Sequence, residues 1–451
     1  MKAAGGRPPL SRLARWVAGL YYRTVEVAGE RHLPAGPAIY VANHGNGLVD
    51  PMLLIGWLPP GIRFLAKSTL WQHPVIGPWV RLARAIPVYR PQDAGVDVTR
   101  NRETFAHAYK VLAAGGSIGI FPEGGSFFSP GLLQLRSGAA RIALGAEVAY
   151  GPLGVVVVPV GFNYEARDRF RSRVLIQIGP TLPVVDESGA TPAGADGRAA
   201  ARRLTDRIDA GLHAVTLNFA SWEEKRLLQR AADVFAERPR EVPTATRLER
   251  LFETRRAFAE GYPELERRWP EKTAAAAACV RRYERLLRVL GVDDRQVVAS
   301  YPPRTVLRYV VRTVAALLVW LPVAAVGTAL NILPYKLPGW IVARLSIPVS
   351  DRATYKVFLS VFLFPVAWIV EVWLTARLLG GGWALAMALA APATGYVALR
   401  YSERGRQLVR EARAYRTMLS PSRAVAAARA LRAELVKRID ELVQLYRRSR
   451  E

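Results

Sequence analysis

Val155-Val156-Val157-Val158-Pro159-Val160 contains an all-apolar, β-branched run, Val155 to Val158, that predicts a central strand buried on both faces. Outward from it, short β-rich runs alternate with helical patterns. The expected strands are Ala38 to Val41, Arg63 to Ala66, Ile86 to Val88, Ile118 to Phe121, Val155 to Val160 and Val174 to Ile178. Between them the periodicity predicts helices over Pro51 to Trp57, Val75 to Arg84, Arg100 to Ala114, Gly138 to Ala149 and Ala199 to Leu217. Such alternation argues an α/β domain. Pro183 to Arg198, rich in Pro, Gly, Ala and Asp, reads as a surface loop.

The flanks are of other kinds. Leu10, Leu13, Val17, Leu20 and Tyr21 recur at helical spacing, with Arg12, Arg15 and Arg23 off that stripe. An amphipathic helix is expected there, either in a lipid headgroup layer or covering the α/β domain. Residues 221 to 308 read as a charged helical layer interrupted at Pro239, Pro243, Pro263 and Pro270. The stretch 309 to 401 is nearly free of charge: Thr313 to Tyr335 and Leu378 to Leu399 carry none, and Val357 to Ala376 only Glu371. Each run is long enough to cross roughly 30 Å of hydrocarbon at about 1.5 Å per residue. Gly380, Gly381 and Gly382 suit a hairpin of the second and third runs, with the first, which contains Pro322, Asn331 and Pro334, re-entrant or along one leaflet.

The chain has 451 residues, a net charge of +26 and one cysteine, Cys279, which excludes a disulfide framework. The basic excess is spread, +9 over 1 to 220, +5 over 221 to 308, +5 over 309 to 401 and +7 over 402 to 451. A nucleic-acid binder concentrates its charge beside a reading element, and no such motif occurs here. Spread charge fits an anionic phospholipid surface, and the positive-inside tendency places both basic flanks in the cytoplasm. The histidines at 32, 44, 73, 107 and 213 show no metal-ligand spacing.

Four blocks carry chemistry. In Asn43-His44-Gly45-Asn46-Gly47-Leu48-Val49-Asp50-Pro51, a histidine on a glycine-rich turn can receive a carboxylate at one ring nitrogen and keep the other as a base. Asp50 before Pro51 also suits an ordinary helix cap. Phe121-Pro122-Glu123-Gly124-Gly125-Ser126 puts a carboxylate on a Gly-rich turn at a strand's carboxyl end, where open α/β sheets collect ligands. Ala85-Ile86-Pro87-Val88-Tyr89-Arg90 ends in an arginine suited to a phosphate, and Val158-Pro159-Val160-Gly161 is a strand whose proline shapes the edge of a site. Gly115-Gly116-Ser117-Ile118-Gly119 matches the serine-hydrolase elbow, but a helix precedes it and a strand follows, so it reads as a turn.

In this order and spacing the four blocks, within residues 30 to 215, resemble the signature of the glycerolipid acyltransferase family, which includes lysophosphatidate and glycerol-3-phosphate acyltransferases. Five residues between His44 and Asp50, together with C-terminal membrane segments, resemble the glycerol-3-phosphate and dihydroxyacetone-phosphate acyltransferase branch. The resemblance implies a mixed sheet flanked by helices, with His44 as general base and Asp50 as its orienter. It also implies Arg90 on the acceptor's phosphate, Glu123 and Gly124 lining the acceptor pocket, and Lys67 and Arg136 assisting. Where the branch often has a His-Asp pair, this chain has Phe127-Phe128, a more apolar pocket edge.

The implied reaction moves a fatty acyl group from an acyl-CoA or acyl carrier protein thioester to a glycerol-phosphate or lysophospholipid hydroxyl. It needs no metal or resident cofactor. The expected organisation is a helix over 1–30, an acyltransferase domain over 31–220, a charged helical region over 221–308, a membrane region over 309–401 and a basic helical cytoplasmic tail over 402–451.

Overall fold

The computed structural model describes residues 8–74, 76–91, 93, 95–185, 195–237, 247–298, 302–420 and 422–449. Val75, most of the loop expected over Pro183 to Arg198, and the interruptions at Pro239 and Pro243 lie outside the described residues. The chain forms two compact units, one of residues 1–222, 244–256 and 347–354, the other of 223–243, 257–346 and 355–451.

The first unit is built on strands β1 (Thr24–Ala28), β2 (Ala38–Ala42), β3 (Arg63–Lys67), β4 (Ile86–Val88), β5 (Ser117–Ile120), β6 (Val156–Tyr164), β7 (Arg173–Ile178) and β8 (Leu182–Pro183). Their order in the sheet is β1-β7-β6-β2-β5-β3-β4, with β8 on β6. β6, β2, β5, β3 and β4 are mutually parallel, whereas β7 and β8 run antiparallel to β6. The sheet is therefore mixed, and the valine run sits inside it: Val157, Val158 and Val160 are fully buried. Helices α1 (Pro9–Tyr21), α2 (Val49–Trp57), α3 (Gly77–Leu82), α4 (Asn101–Ala113), α5 (Gly138–Tyr150) and α6 (Ala195–Val215) flank it. The main core lies between β2, β5, β6 and helices α4, α5 and α6, through Ile39, Ile118, Leu112, Ile142 and Leu204.

Three findings differ from the expectation. β1 falls inside the segment read as an N-terminal helix, because five alternating residues directly after a helix give too short a period-two signal; pairing with β7 makes it part of the sheet. α1 packs on α2 through its small residues, Ser11, Ala14 and Ala18, with the Ser11 hydroxyl donating to Ile55 O at 2.8 Å. Of the expected apolar stripe Tyr21 is buried, Leu10, Val17 and Leu20 are partly buried and Leu13 is exposed, as is Trp16 beside it. Finally, residues 244–256 of the charged layer belong to the sheet's own unit. Leu248 and Phe252 close a small core with Ala28, Leu175 and Leu217 beside the β1 edge, which protects that edge from foreign pairing.

The second unit is helical: α7 (Trp222–Ala236), the later part of α8 (Arg247–Arg268), α9 (Pro270–Leu290), α10 (Asp294–Val298), α11 (Pro303–Arg344), α12 (Arg352–Leu379), α13 (Gly381–Leu419) and α14 (Arg423–Arg448). The basic tail is not a free appendage. Val425, Leu431, Leu435 and Ile439 of α14 share a core with Val280, Tyr283 and Leu287 of α9. Asp294 ties this core, accepting from Tyr283 Oη at 2.6 Å and from Arg432 Nε at 2.9 Å.

Three helices are long and apolar enough to cross a membrane, Arg304–Arg344, Arg352–Leu379 and Gly381–Leu419. Their apolar side chains face outward, Leu333 at 73% and Leu389 at 70% exposure, which a buried soluble core would not allow. The chain is therefore membrane-associated. Pro322 and Pro334 do not interrupt α11, so no re-entrant turn forms there; a turn at Gly380 does join α12 to α13. Close packing runs between α11 and α13, which are antiparallel: Gly327 meets the backbone of Thr394, and Asn331, one turn later on α11, reaches the earlier Ala391. Asn331 uses its whole amide, donating to Gly327 O (3.0 Å) and Ala391 O (3.2 Å) and accepting from Trp368 Nε1 (2.9 Å).

Candidate active site

The parallel strands deliver their following residues to one edge of the sheet. In spatial order these are Arg90 after β4, Lys67 ending β3, Glu123 after β5, His44 after β2 and Tyr164 ending β6. Carboxyl ends of parallel strands are where such sheets collect ligands, because loops there diverge from a rigid frame.

His44 Nδ1 lies 2.9 Å from Asp50 Oδ2. The same oxygen accepts from the N–H groups of Gly45 (2.9 Å) and Asn46 (2.8 Å). Tyr164 Oη donates to the other oxygen. Burial and the Asp50 charge push the Tyr164 phenol well above its ordinary value, so it stays a donor. Asp50 is fully buried, within the first turn of α2 rather than at its cap, which is Leu48. The capping alternative thus gives way, because the carboxylate turns back to the preceding loop instead of to its own helix. An acceptor on Nδ1 makes that nitrogen the N–H and leaves Nε2 with the lone pair. Nε2 has no hydrogen-bond partner among the described residues. The ring stacks on Phe121 at 4.1 Å between centroids.

Glu123 faces inward and holds the loops together. Its Oε1 accepts the His44 N–H at 2.7 Å and its Oε2 the Leu133 N–H at 3.3 Å. Burial raises its carboxyl above the ordinary value, and the two N–H groups oppose that shift. Both oxygens are engaged by the protein, so the structure shows Glu123 as a brace rather than as an open pocket wall. Gly124 has φ 75°, and a Cβ there would lie 2.5 Å from Arg136 Nε. Arg90 donates from Nη1 to Gly124 O at 3.0 Å and grips Asp93 through Nε (2.9 Å) and Nη2 (2.7 Å). That pairing holds the Asp93 carboxyl below its ordinary value. Two guanidiniums thus flank one glycine, and Lys67 is exposed on the neighbouring strand.

Several site residues escaped sequence reasoning. Asn43 exchanges two hydrogen bonds with the Phe162 backbone, at 2.7 and 3.2 Å, joining the His44 loop to β6. Ser126 Oγ accepts from Gly47 N at 3.0 Å. Arg167 donates to Gly45 O (3.2 Å) and Phe127 O (3.1 Å) and covers Phe128. Asn43 and Ser126 stand in the quoted blocks and had a signal; Tyr164 and Arg167 are set beside the loop only by the sheet. Phe127 and Phe128 are exposed at the site, with Phe128 stacked on Trp222 at 4.3 Å.

Residues 24–163 match the sequence model of the family described as Acyltransferase. Glycerol-3-phosphate O-acyltransferase 2 of Saccharomyces cerevisiae is 32% identical over 197 residues, 44% of this chain and 26% of that protein. Glycerol-3-phosphate O-acyltransferase 1 of the same yeast is 25% identical over 363 residues, 61% and 47% respectively. The 1-acyl-sn-glycerol-3-phosphate acyltransferase of Bacillus subtilis is 31% identical over 120 residues, 26% and 56%. The chain thus matches about half or less of each yeast relative's length. The crystal structure of the LPA acyltransferase of Thermotoga maritima aligns at 20% identity and TM-score 0.32, over 45% of this chain and 77% of that one. Residues 24–163, which carry His44, Asp50, Arg90 and Glu123, thus match the Acyltransferase family model, and the chain is similar to glycerol-3-phosphate and 1-acyl-sn-glycerol-3-phosphate acyltransferases.

Proposed function

We propose that this chain is a membrane-bound O-acyltransferase of phospholipid synthesis, moving a fatty acyl group from acyl-CoA or acyl carrier protein to glycerol-3-phosphate or lysophosphatidate. The observation that carries this reading is His44, held by Asp50 with Nε2 open toward the strand ends. His44 Nε2 takes the proton of the acceptor hydroxyl as its oxygen attacks the thioester carbonyl. The C–S bond then breaks, and the thiolate leaves with the proton returned from the imidazolium. Asp50 fixes the tautomer and offsets the transient positive charge. Arg90, pre-oriented by Asp93 and Gly124, and Arg136 beside it offer donors to the acceptor phosphate, with Lys67 in support. Holding both reactants near His44 supplies the rest of the rate.

The basic flanks favour the cytoplasmic face for the catalytic unit. The purified chain, supplied with acyl-CoA or acyl carrier protein thioesters and a panel of glycerol-phosphate and lysophospholipid acceptors, tests the reading. His44→Ala is expected to lower kcat/KM by about 10²–10⁴; activity that survives it would sink the mechanism. Lipid binding without turnover on any acceptor would instead favour an inactive membrane-attached lipid-binding or scaffold protein.

A further inference from the structure

The segment Ile347 to Thr354, which covers the turn after α11 and the first three residues of α12, lies more than three hundred positions from the His44 loop and carries none of the family's blocks. It nevertheless belongs to the first unit. Ser350 and Thr354 are 6% exposed and Ala353 is fully buried, so this is not a solvent loop. Thr354 Oγ1 accepts the Leu48 N–H at 2.9 Å and donates to Asn46 O at 3.4 Å. Gly47, between those two residues, has φ 45°, and a Cβ there would lie 2.9 Å from Asp351 Oδ1. The N–H of Asn46 in turn holds Asp50, and Leu48 caps the helix that carries it. Asp351 is half-buried; its carboxyl is raised by burial and lowered by the charges of Lys67 and His44, which face it.

We propose that the α11–α12 junction is part of the active site, with Thr354, in the first turn of α12, the positioning residue that holds the His44–Asp50 loop in register. The hydroxyl does two things that a methyl cannot: it satisfies the N–H of Leu48 and ties the carbonyl of Asn46. Both atoms lie in the stretch of backbone that sets the distance from Asp50 to His44.

The role of Thr354 rests on the proposed acyl transfer, and the experiment separates the two. In the full-length chain Thr354→Val is expected to lower kcat about tenfold or more, with the thioester KM unchanged within about twofold, since misplacement by about 1 Å can cost two orders of magnitude. Thr354→Ser, which keeps the hydroxyl, is expected to restore most of the rate. Hydrogen exchange of the peptide over residues 45–50 is expected to quicken in Thr354→Val and not in Thr354→Ser. A Thr354→Val enzyme with wild-type kcat and exchange, or a Thr354→Ser enzyme no better than it, overturns the positioning role. If the wild type turns over no acceptor, the proposed activity fails and the exchange readout alone decides the junction.

Discussion

Asp50 and Glu123 are both buried carboxylates near His44, and their partners separate their roles. Asp50 touches the imidazole itself, whereas Glu123 touches only the His44 backbone and Leu133. Asp50→Asn puts an amide where four donors converge, so one N–H faces a donor; a loss of activity of about 10²-fold or more is expected with little change in KM, measured by steady-state kinetics. Glu123 affects stability through pH. Its folded pKa is raised by burial, so the folded state holds the proton more tightly than the unfolded one. Its contribution is therefore most favourable below the unfolded value near 4.5 and declines as pH rises toward the folded value. Glu123→Gln keeps the shorter bond to the His44 N–H and loses the longer one to Leu133. Thermal melts of this variant between about pH 4.5 and 6.5 are expected to show a weaker decline with pH than the wild type. Glu123→Ala orphans both N–H groups and is expected to cost about 1–3 kcal/mol for each. Asp93→Asn frees Arg90 from its bidentate partner and is expected to raise the acceptor KM while leaving the thioester KM unchanged.

The apolar helices pack where side chains are small or fully bonded. A Cβ on Gly327 would collide with the Thr394 carbonyl on α13, and no rotamer of a neighbour relieves a backbone clash. Gly327→Leu is therefore expected to separate α11 from α13 and lower the melting temperature in detergent. Asn331→Leu removes bonds to two carbonyls and leaves Trp368 Nε1 without its acceptor. Interhelical hydrogen bonds in lipid are worth about 0.6–2 kcal/mol, so a fall of that order in the unfolding free energy is expected from denaturation in mixed micelles. The three apolar runs were legible by length and composition. Which of them pair was not, because a hydropathy count scores Gly327 and Asn331 one by one and both act through the partner helix.

Across the whole chain, +21 of the net charge of +26 lies in the segments that precede and follow residues 309–401. Those segments meet: α9 and α14 form one core, closed by Tyr283, Asp294 and Arg432. A shared core keeps both segments on one side of a membrane. A Val289→Cys thiol on exposed α9, in a Cys279→Ser background, and a C-terminal tag are thus expected to be modified from the same face of sealed vesicles when each is probed with an impermeant reagent. Tags on opposite faces would refute that. The sequence read this segment only as a basic helical tail, since alanines and arginines dilute the buried stripe of α14; its burial against α9 is a long-range contact.

By itself the sequence determined the alternation of strands and helices, the three membrane-length runs and the short blocks around His44, Arg90 and Glu123. These are local properties, set by periodicity of two or 3.6 residues and by turns that need glycine. Only the tertiary structure decided that Glu123 braces the His44 backbone, that Tyr164 and Arg167 reach the same loop, and that Thr354, from the first turn of a membrane-length helix, holds it. Each of those contacts joins residues far apart in the chain, and no local pattern encodes a partner that the sheet and the packing bring into place.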